Sequence, residues 1–186
     1  MNYYNTHSAS PLIIAHNKNL TREINGDEFN QQIHKVVKIL QSFNNRGIAY
    51  KLDNTPAWLI IDAATAVSNK VAVPIAHFFS EQQTQYVLAQ CGANLFISDT
   101  LNPLLGEPTA SITLFECYTL YIYEIVVAKP VSYFSETQKV TFTSGSTGQP
   151  KGVCLSAKSQ MQVAQSLCDK ISIKNPVHLC LLPLAV

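Results

Sequence analysis

The residues best suited to chemistry lie between Thr141 and Val153, in the run TFTSGSTGQPKGV. Gly145, Gly148 and Gly152 free the backbone to turn at positive φ, and their bare α-carbons admit a bulky group close to the main chain. Successive N–H groups in such a turn converge into an anion-binding nest. The hydroxyls of Thr143, Ser144, Ser146 and Thr147 add donors for phosphate oxygens, and Lys151 adds a mobile positive charge behind the stiff Pro150. The chemistry implied is the cradling of phosphate. The spacing is not that of a Walker A loop, because Lys151 precedes Gly152 and no Ser or Thr follows it. No G-x-G-x-x-G fingerprint is present either. A flexible Ser/Thr/Gly surface turn has the same composition, so composition alone leaves both readings open. In either reading the loop spans Ser144 to Gly152, and Ser144 to Pro150 is expected to be mobile without nucleotide.

Other reactive side chains carry weaker signals. Cys91, Cys117, Cys154, Cys168 and Cys180 are odd in number and form no CxxC pair, so neither a disulfide framework nor a zinc site is indicated. They are expected to be free and mostly buried, which suits a reducing compartment and a cytoplasmic protein. The histidines show no ligand spacing, and His77 reads as a surface or packed residue. Trp58, Tyr86, Phe96, Phe78 and Phe79 read as packing residues.

The elements that must hold the loop follow from periodicity. Leu12 to Ala15 suits a strand. Phe29, Ile33, Val36, Val37, Leu40 and Phe43 fall on one face of a helix that Asp27 can cap and Gly47 can end. Ile48 to Leu52 is a strand. Asn54 or Thr55 caps a second helix, with Pro56 in its first turn, running to about Asn69. Val71 to Val73 is a strand stopped by Pro74. Ser80 to Gln83 is a capping box for a third helix closed by Gly92, and Leu95 to Ser98 is a further strand. This alternation predicts a layered α/β fold with a largely parallel sheet covered by helices.

Residues 1–10 are expected to be disordered and 100–111 to form a loop. Ile112 to Val127 reads as a short β-rich segment of one or two strands. Lys139 to Thr143 and Val153 to Leu155 are extended, and Ser156 caps a helix to about Lys170. Val177 to Val186 reads as a buried strand running on into a new segment, which suggests a fragment of a longer polypeptide.

Composition sets outer limits. Of 186 residues, 47% are hydrophobic and 13% charged, which excludes a disordered chain or a charge-laced coiled coil. The net charge of +1 gives no footprint for nucleic acid. No run approaches the roughly 18 apolar residues of a membrane span. So few charges suggest that part of the surface is covered by other polypeptide, and self-association through such a surface is expected.

The string from Thr143 to Val153 resembles the signature T-S-G-[ST]-T-G-x-P-K-G-V of the AMP-forming adenylating enzymes: acyl-CoA synthetases, peptide-synthetase adenylation domains and luciferases. Every fixed position matches, and Gln149 fills the variable one. Looser similarity extends through Gly26 to Phe29, Leu52 to Trp58, Val71 to Ile75 and Cys91 to Asp99. Asn69 and Lys70 stand where the family commonly has glycine.

The resemblance implies the N-terminal portion of the adenylating-enzyme fold. The activity it implies is carboxylate activation by ATP, then thioester formation with coenzyme A or a carrier thiol, with fatty-acid metabolism among its settings. It implies that Thr143, Ser144, Gly145, Ser146, Thr147, Gly148, Gln149, Pro150, Lys151 and Gly152 bind the nucleotide. Lys151 and Thr147 are the implied catalytic side chains. ATP and Mg2+ are the implied cofactors and a small carboxylic acid the substrate. No metal ligand is implied within the chain, since the family's magnesium acid, ribose aspartate and C-terminal lysine follow this region. The 186 residues alone are therefore expected to be inactive. A non-catalytic binding module that keeps the loop as a relic is the alternative.

Overall fold

The structure, a computed structural model, describes residues 12–17, 20–44, 46–126, 131–143, 149–171 and 177–185. It contains nine strands and four α-helices among these residues, in a layered α/β arrangement. Strands β1 (Ile13–Asn17) and β2 (Leu20–Ile24) form an antiparallel hairpin, with Ile13 opposite Ile24. Residues 1–10, expected to be disordered, lie outside the described residues.

Helix α1 (Gly26–Gln41) buries Phe29, Ile33, Val36, Val37 and Leu40, the face set by their spacing. Its cap is Asn25 rather than Asp27: the Asn25 side chain accepts a hydrogen bond from the Glu28 N–H at 2.9 Å. Asp27 sits inside the first turn, where its charge complements the helix dipole. Gly47 does not end this helix. The C-cap is Ser42, and Gly47 opens the next strand, where an added Cβ would strike the Tyr133 hydroxyl.

Strand β3 (Gly47–Lys51), helix α2 (Pro56–Val67), strand β4 (Val71–Pro74), helix α3 (Glu81–Cys91) and strand β5 (Leu95–Ser98) form the expected alternating unit. The Ser80 and Gln83 capping box is formed in both directions, and Gly92 closes α3 at φ +61°. Thr55 occupies the N-cap of α2 without a side-chain cap bond. Both β4 and β5 pair in parallel with β3. The two crossovers run in opposite directions along the sheet, so right-handed connections put α2 and α3 on opposite faces. Helix α1 packs on α2. Tyr50, Trp58, Ile61, Val73 and Phe96 are buried between these layers.

The β-rich stretch supplies one margin of the sheet. Strands β6 (Ala110–Leu114) and β7 (Tyr118–Glu124) form a hairpin whose second strand runs antiparallel to β5. The stretch 100–111, expected as loop, holds a short 3-10 turn at Pro103–Leu105 and the first residues of β6. Strands β8 (Thr137–Thr143) and β9 (Lys151–Ser156) supply the other margin. The strand order is β6-β7-β5-β3-β4-β8-β9, parallel at the centre and antiparallel at both edges.

Helix α4 (Ala157–Ile171) follows β9 and contains no buried residue. The segment after it corrects the expected buried strand. Val177, Leu179, Leu181 and Leu182 are exposed and in no strand, because no described element lies over them. Its end is held: Asn54 donates to the Leu182 carbonyl at 2.7 Å and accepts from the Leu184 N–H at 2.9 Å, and Ala185 is buried. The cysteines are likewise corrected. Cys91 is buried, but Cys117, Cys154, Cys168 and Cys180 are exposed, on a hairpin turn, an edge strand, the uncovered α4 and the terminal segment. Among the described residues no helix is long and apolar enough to cross a membrane.

Candidate functional site

The signature loop joins β8 to β9. β-branched Thr137, Val140, Thr141 and Thr143 favour extension along β8, and Val140 and Phe142 are buried. The antiparallel register puts Thr143 opposite Lys151, Phe142 opposite Gly152 and Thr141 opposite Val153. Lys151 and Gly152 therefore belong to β9, and the loop is shorter than the stretch ending at Gly152. An added Cβ at Gly152 would lie 3.1 Å from the Phe142 ring and 3.2 Å from Val140, so glycine lets this core pair reach across the hairpin.

Directly opposed residues share a face. Thr143 and Lys151 thus stand side by side at the hairpin mouth, both exposed, with Gln149 exposed and Pro150 buried beside them. Ser144, Gly145, Ser146, Thr147 and Gly148 lie outside the described residues, and so does most of the segment expected to be mobile. A hydroxyl and an ammonium flanking one turn are a donor set that fits a phosphate group. Among the described residues no group of three or more His, Cys, Asp or Glu side chains gathers to hold a metal ion.

Because β8 runs parallel to β4, the mouth opens at the carboxyl ends of the central strands. At that end the order β5-β3-β4 reverses direction, which is where open α/β sheets form a crevice. The crevice has a volume of about 360 Å³ and includes Lys51, Asp53, His77, Ser98, Asp99 and Thr100 in its walls. Lys51 donates to the Phe79 carbonyl at 2.6 Å and to Thr84 Oγ1 at 3.2 Å, and partial burial lowers its pKa. The Asp99 carboxylate accepts from the Asp53 N–H at 2.7 Å; burial raises its pKa and the backbone bond pulls against that. His77 is exposed and lines this crevice, while Phe79, Trp58 and Phe96 are packed as expected. Tyr86 is half-buried and Phe78 exposed.

Sequence reasoning missed one polar cluster beside the loop strand. Lys139 Nζ lies 2.8 Å from Asp62 Oδ1 and 2.9 Å from Oδ2, and the Tyr50 hydroxyl donates to Asp62 Oδ1 at 2.5 Å. A signal was present: Asp62 interrupts the apolar run Trp58-Leu59-Ile60-Ile61, and Lys139 stands just before the buried Val140.

Residues 6–186 match the family model described as AMP-binding enzyme. No curated protein sequence matches the chain. Among solved structures, it is similar to o-succinylbenzoate CoA synthetase (MenE) from Bacillus subtilis in complex with the acyl-adenylate intermediate OSB-AMP. That likeness has TM-score 0.68 and 19% identity over 90% of this chain and 45% of the other. The inhibitor-bound N-terminal domain of FACL13 from Mycobacterium tuberculosis gives 0.64 and 17%, over 88% and 45%. The N-terminal subdomain of Klebsiella oxytoca NpsA with 3-hydroxyanthranilyl-AMSN gives 0.52 and 26%, over 73% and 34%. The chain thus spans less than half the length of each of these proteins, and the likeness to MenE and FACL13 establishes the shared fold.

Proposed function

We propose, from the premise that this chain belongs to the AMP-binding enzyme family, that it is the N-terminal part of an ATP-dependent carboxylate-activating ligase. The observation that carries the reading is the hairpin mouth, where Thr143 and Lys151 flank a loop of signature sequence at the carboxyl end of a parallel sheet. In the reaction a carboxylate oxygen attacks the α-phosphorus of ATP, the bond to the bridging oxygen breaks, and pyrophosphate leaves. Charge gathers on the departing phosphates. The Lys151 ammonium, the hydroxyls of Thr143, Ser144, Ser146 and Thr147, and the amides of Gly145, Gly148 and Gly152 are the groups that neutralise it. Gln149 and Pro150 shape the loop. Mg2+ would be held by the nucleotide phosphates, where it would neutralise part of their charge, with its protein acid expected outside these residues. The product is an acyl-adenylate. The thiol of coenzyme A or a carrier, having lost its proton, then attacks the acyl carbonyl carbon. The bond to the phosphate oxygen breaks and AMP leaves, a reaction set in the cytoplasm with a small carboxylic acid. The exposed Met161, Val163, Leu167 and Ile171 of α4 support self-association of the isolated chain.

The test is carboxylate-dependent exchange of labelled pyrophosphate into ATP, run with a polypeptide that joins these residues to the remaining half of the fold. Lys151→Ala is expected to lower exchange about 10²–10³-fold, the usual cost of one lost contact to a charged oxygen in the transition state. The stability of the protein should barely change, because Lys151 is exposed. The 186 residues alone are expected to be silent. No exchange with a broad panel of acids would support the relic reading instead, and exchange untouched by Lys151→Ala would remove Lys151 from the catalytic role.

A further inference from the structure

Strand β8 carries the loop and lies in the sheet between β4 and β9. It runs parallel to β4, with Ala72 opposite Lys139. On its other side β8 meets only β9, the edge strand. At that same residue the side chain reaches back into the layers. Lys139 Nζ contacts both oxygens of Asp62 on α2, and Asp62 also accepts from the fully buried Tyr50 on β3. The Lys139 ammonium lies 5.6 Å from the centroid of the Trp58 ring, and that ring meets Tyr50 edge-on at 5.6 Å. The Lys139 and Asp62 side chains are 17% and 26% exposed, so the pair is sheltered from most of the screening that makes surface pairs weak.

We infer that Asp62 and Lys139 are positioning residues for the phosphate loop, with Tyr50 bracing the carboxylate. They touch no substrate. The pair fixes where β8 sits on α2, and the strand transmits that placement to the loop. Lys139, Thr141 and Thr143 share a face, and Thr143 stands four residues, about 13 Å, along the strand. A 10° swing of β8 about Lys139 would therefore move the mouth by about 2 Å. A misplacement of about 1 Å can cost about 10² in rate. The consequence for phosphate rests on the proposed function; the consequence for the hairpin does not.

The test compares Lys139→Met, Lys139→Arg and the uncharged pair Asp62→Leu with Lys139→Met in the 186-residue chain. Amide hydrogen exchange is read at Thr141 to Thr143 and Lys151 to Val153, with α1 and β3 as internal references. Pyrophosphate with Mg2+ is titrated as the ligand probe. Lys139→Met is expected to speed exchange at the mouth at least about tenfold more than in α1, and Lys139→Arg to restore protection within about threefold. The uncharged pair guards against misfolding, since apolar replacement of a buried ion pair is often tolerated. It should keep the wild-type melting midpoint with the mouth still loosened. Uniformly faster exchange in Lys139→Met, or full protection at the mouth in the uncharged pair, would overturn the positioning role. Wild-type chain without affinity for pyrophosphate would overturn the phosphate reading, and the exchange pattern would still decide the role of Lys139.

Discussion

Helix α4 lets the expected self-association be worked out in numbers. Val163, Leu167, Ile171, Ala164, Cys168 and Met161 fall in one arc of the helix, with Gln162, Gln165, Ser166 and Asp169 opposite. Met161, Val163, Leu167 and Ile171 are 55–68% exposed. Full burial of such a side chain is worth about 1.5–3 kcal/mol, so covering what remains exposed yields about 1–2 kcal/mol each. Four residues on two copies give about 8–16 kcal/mol, against a cost of about 4–15 kcal/mol for lost freedom on association. For a mid-range gain of about 12 kcal/mol and a cost of about 4–8 kcal/mol, the surplus of about 4–8 kcal/mol corresponds to a dimer with Kd in the millimolar to micromolar range. With a net charge of +1, long-range repulsion offers little resistance. Sedimentation velocity from about 5 to 500 µM should show mass rising with concentration, and the triple change Met161→Gln, Leu167→Gln and Ile171→Gln should hold the chain monomeric. Its unfolding free energy should move by no more than about 0.5 kcal/mol per site, as expected of exposed positions. A wild-type chain that stays monomeric throughout would refute the reasoning. So would a triple variant that unfolds, since it would mean the stripe is already inside.

Three further outcomes follow from local physics. Burial raises the Cys91 thiol from an ordinary 9.0 to about 11. Between those values the unfolded chain has lost the proton and the native chain keeps it, so stability should fall as pH rises through about 9 to 11, by up to about 2–3 kcal/mol, and Cys91→Ala should flatten that slope in urea titrations. Gly92→Ala should cost about 2–4 kcal/mol: φ is +61°, and the new Cβ would lie 2.7 Å from the Val131 Cβ. The expected drop in melting midpoint is about 5–15 °C, partly recovered by adding Val131→Gly, and a loss below about 1 kcal/mol would contradict the contact. Ser80→Ala removes the acceptor of the Gln83 N–H and should cost about 0.5–2 kcal/mol in thermal or chemical unfolding.

The fold was readable where one residue's chemistry settles one local choice. The spacing from Phe29 to Leu40 has a single helical solution, Ser80 and Gln83 can satisfy each other only at a helix start, and Gly92 suits the left-handed turn after α3. The signature loop was readable because its string is specific, but composition could not show that Lys151 and Gly152 extend the strand, since their pairing with Thr143 and Phe142 is a tertiary fact. Asp27 was expected to cap α1, but the residue left extended before the helix, at φ −84° and ψ 170°, is Asn25, whose side chain has the same capping ability. Burial of the cysteines and of the segment from Val177 failed for a different reason. Hydrophobic character favours cover but does not supply it, and α4 and its successor have no described layer above them. The bond between Lys139 and Asp62 joins residues 77 positions apart, beyond any periodic signal.

The seating of β8 beside β4 also sets a schedule for synthesis on the ribosome. Strand β4 ends at Pro74 and the neighbour that covers its outer edge begins at Thr137, so roughly sixty residues are made in between. At about 5–20 residues per second, that leaves a row of unpaired amide and carbonyl groups along a wholly apolar strand, Val-Ala-Val-Pro, for about 3–12 s. Such an edge is a template for pairing with another chain. Its brevity and the proline at its end, which offers no N–H, are the features that blunt the hazard while the nascent chain waits for the hairpin to arrive.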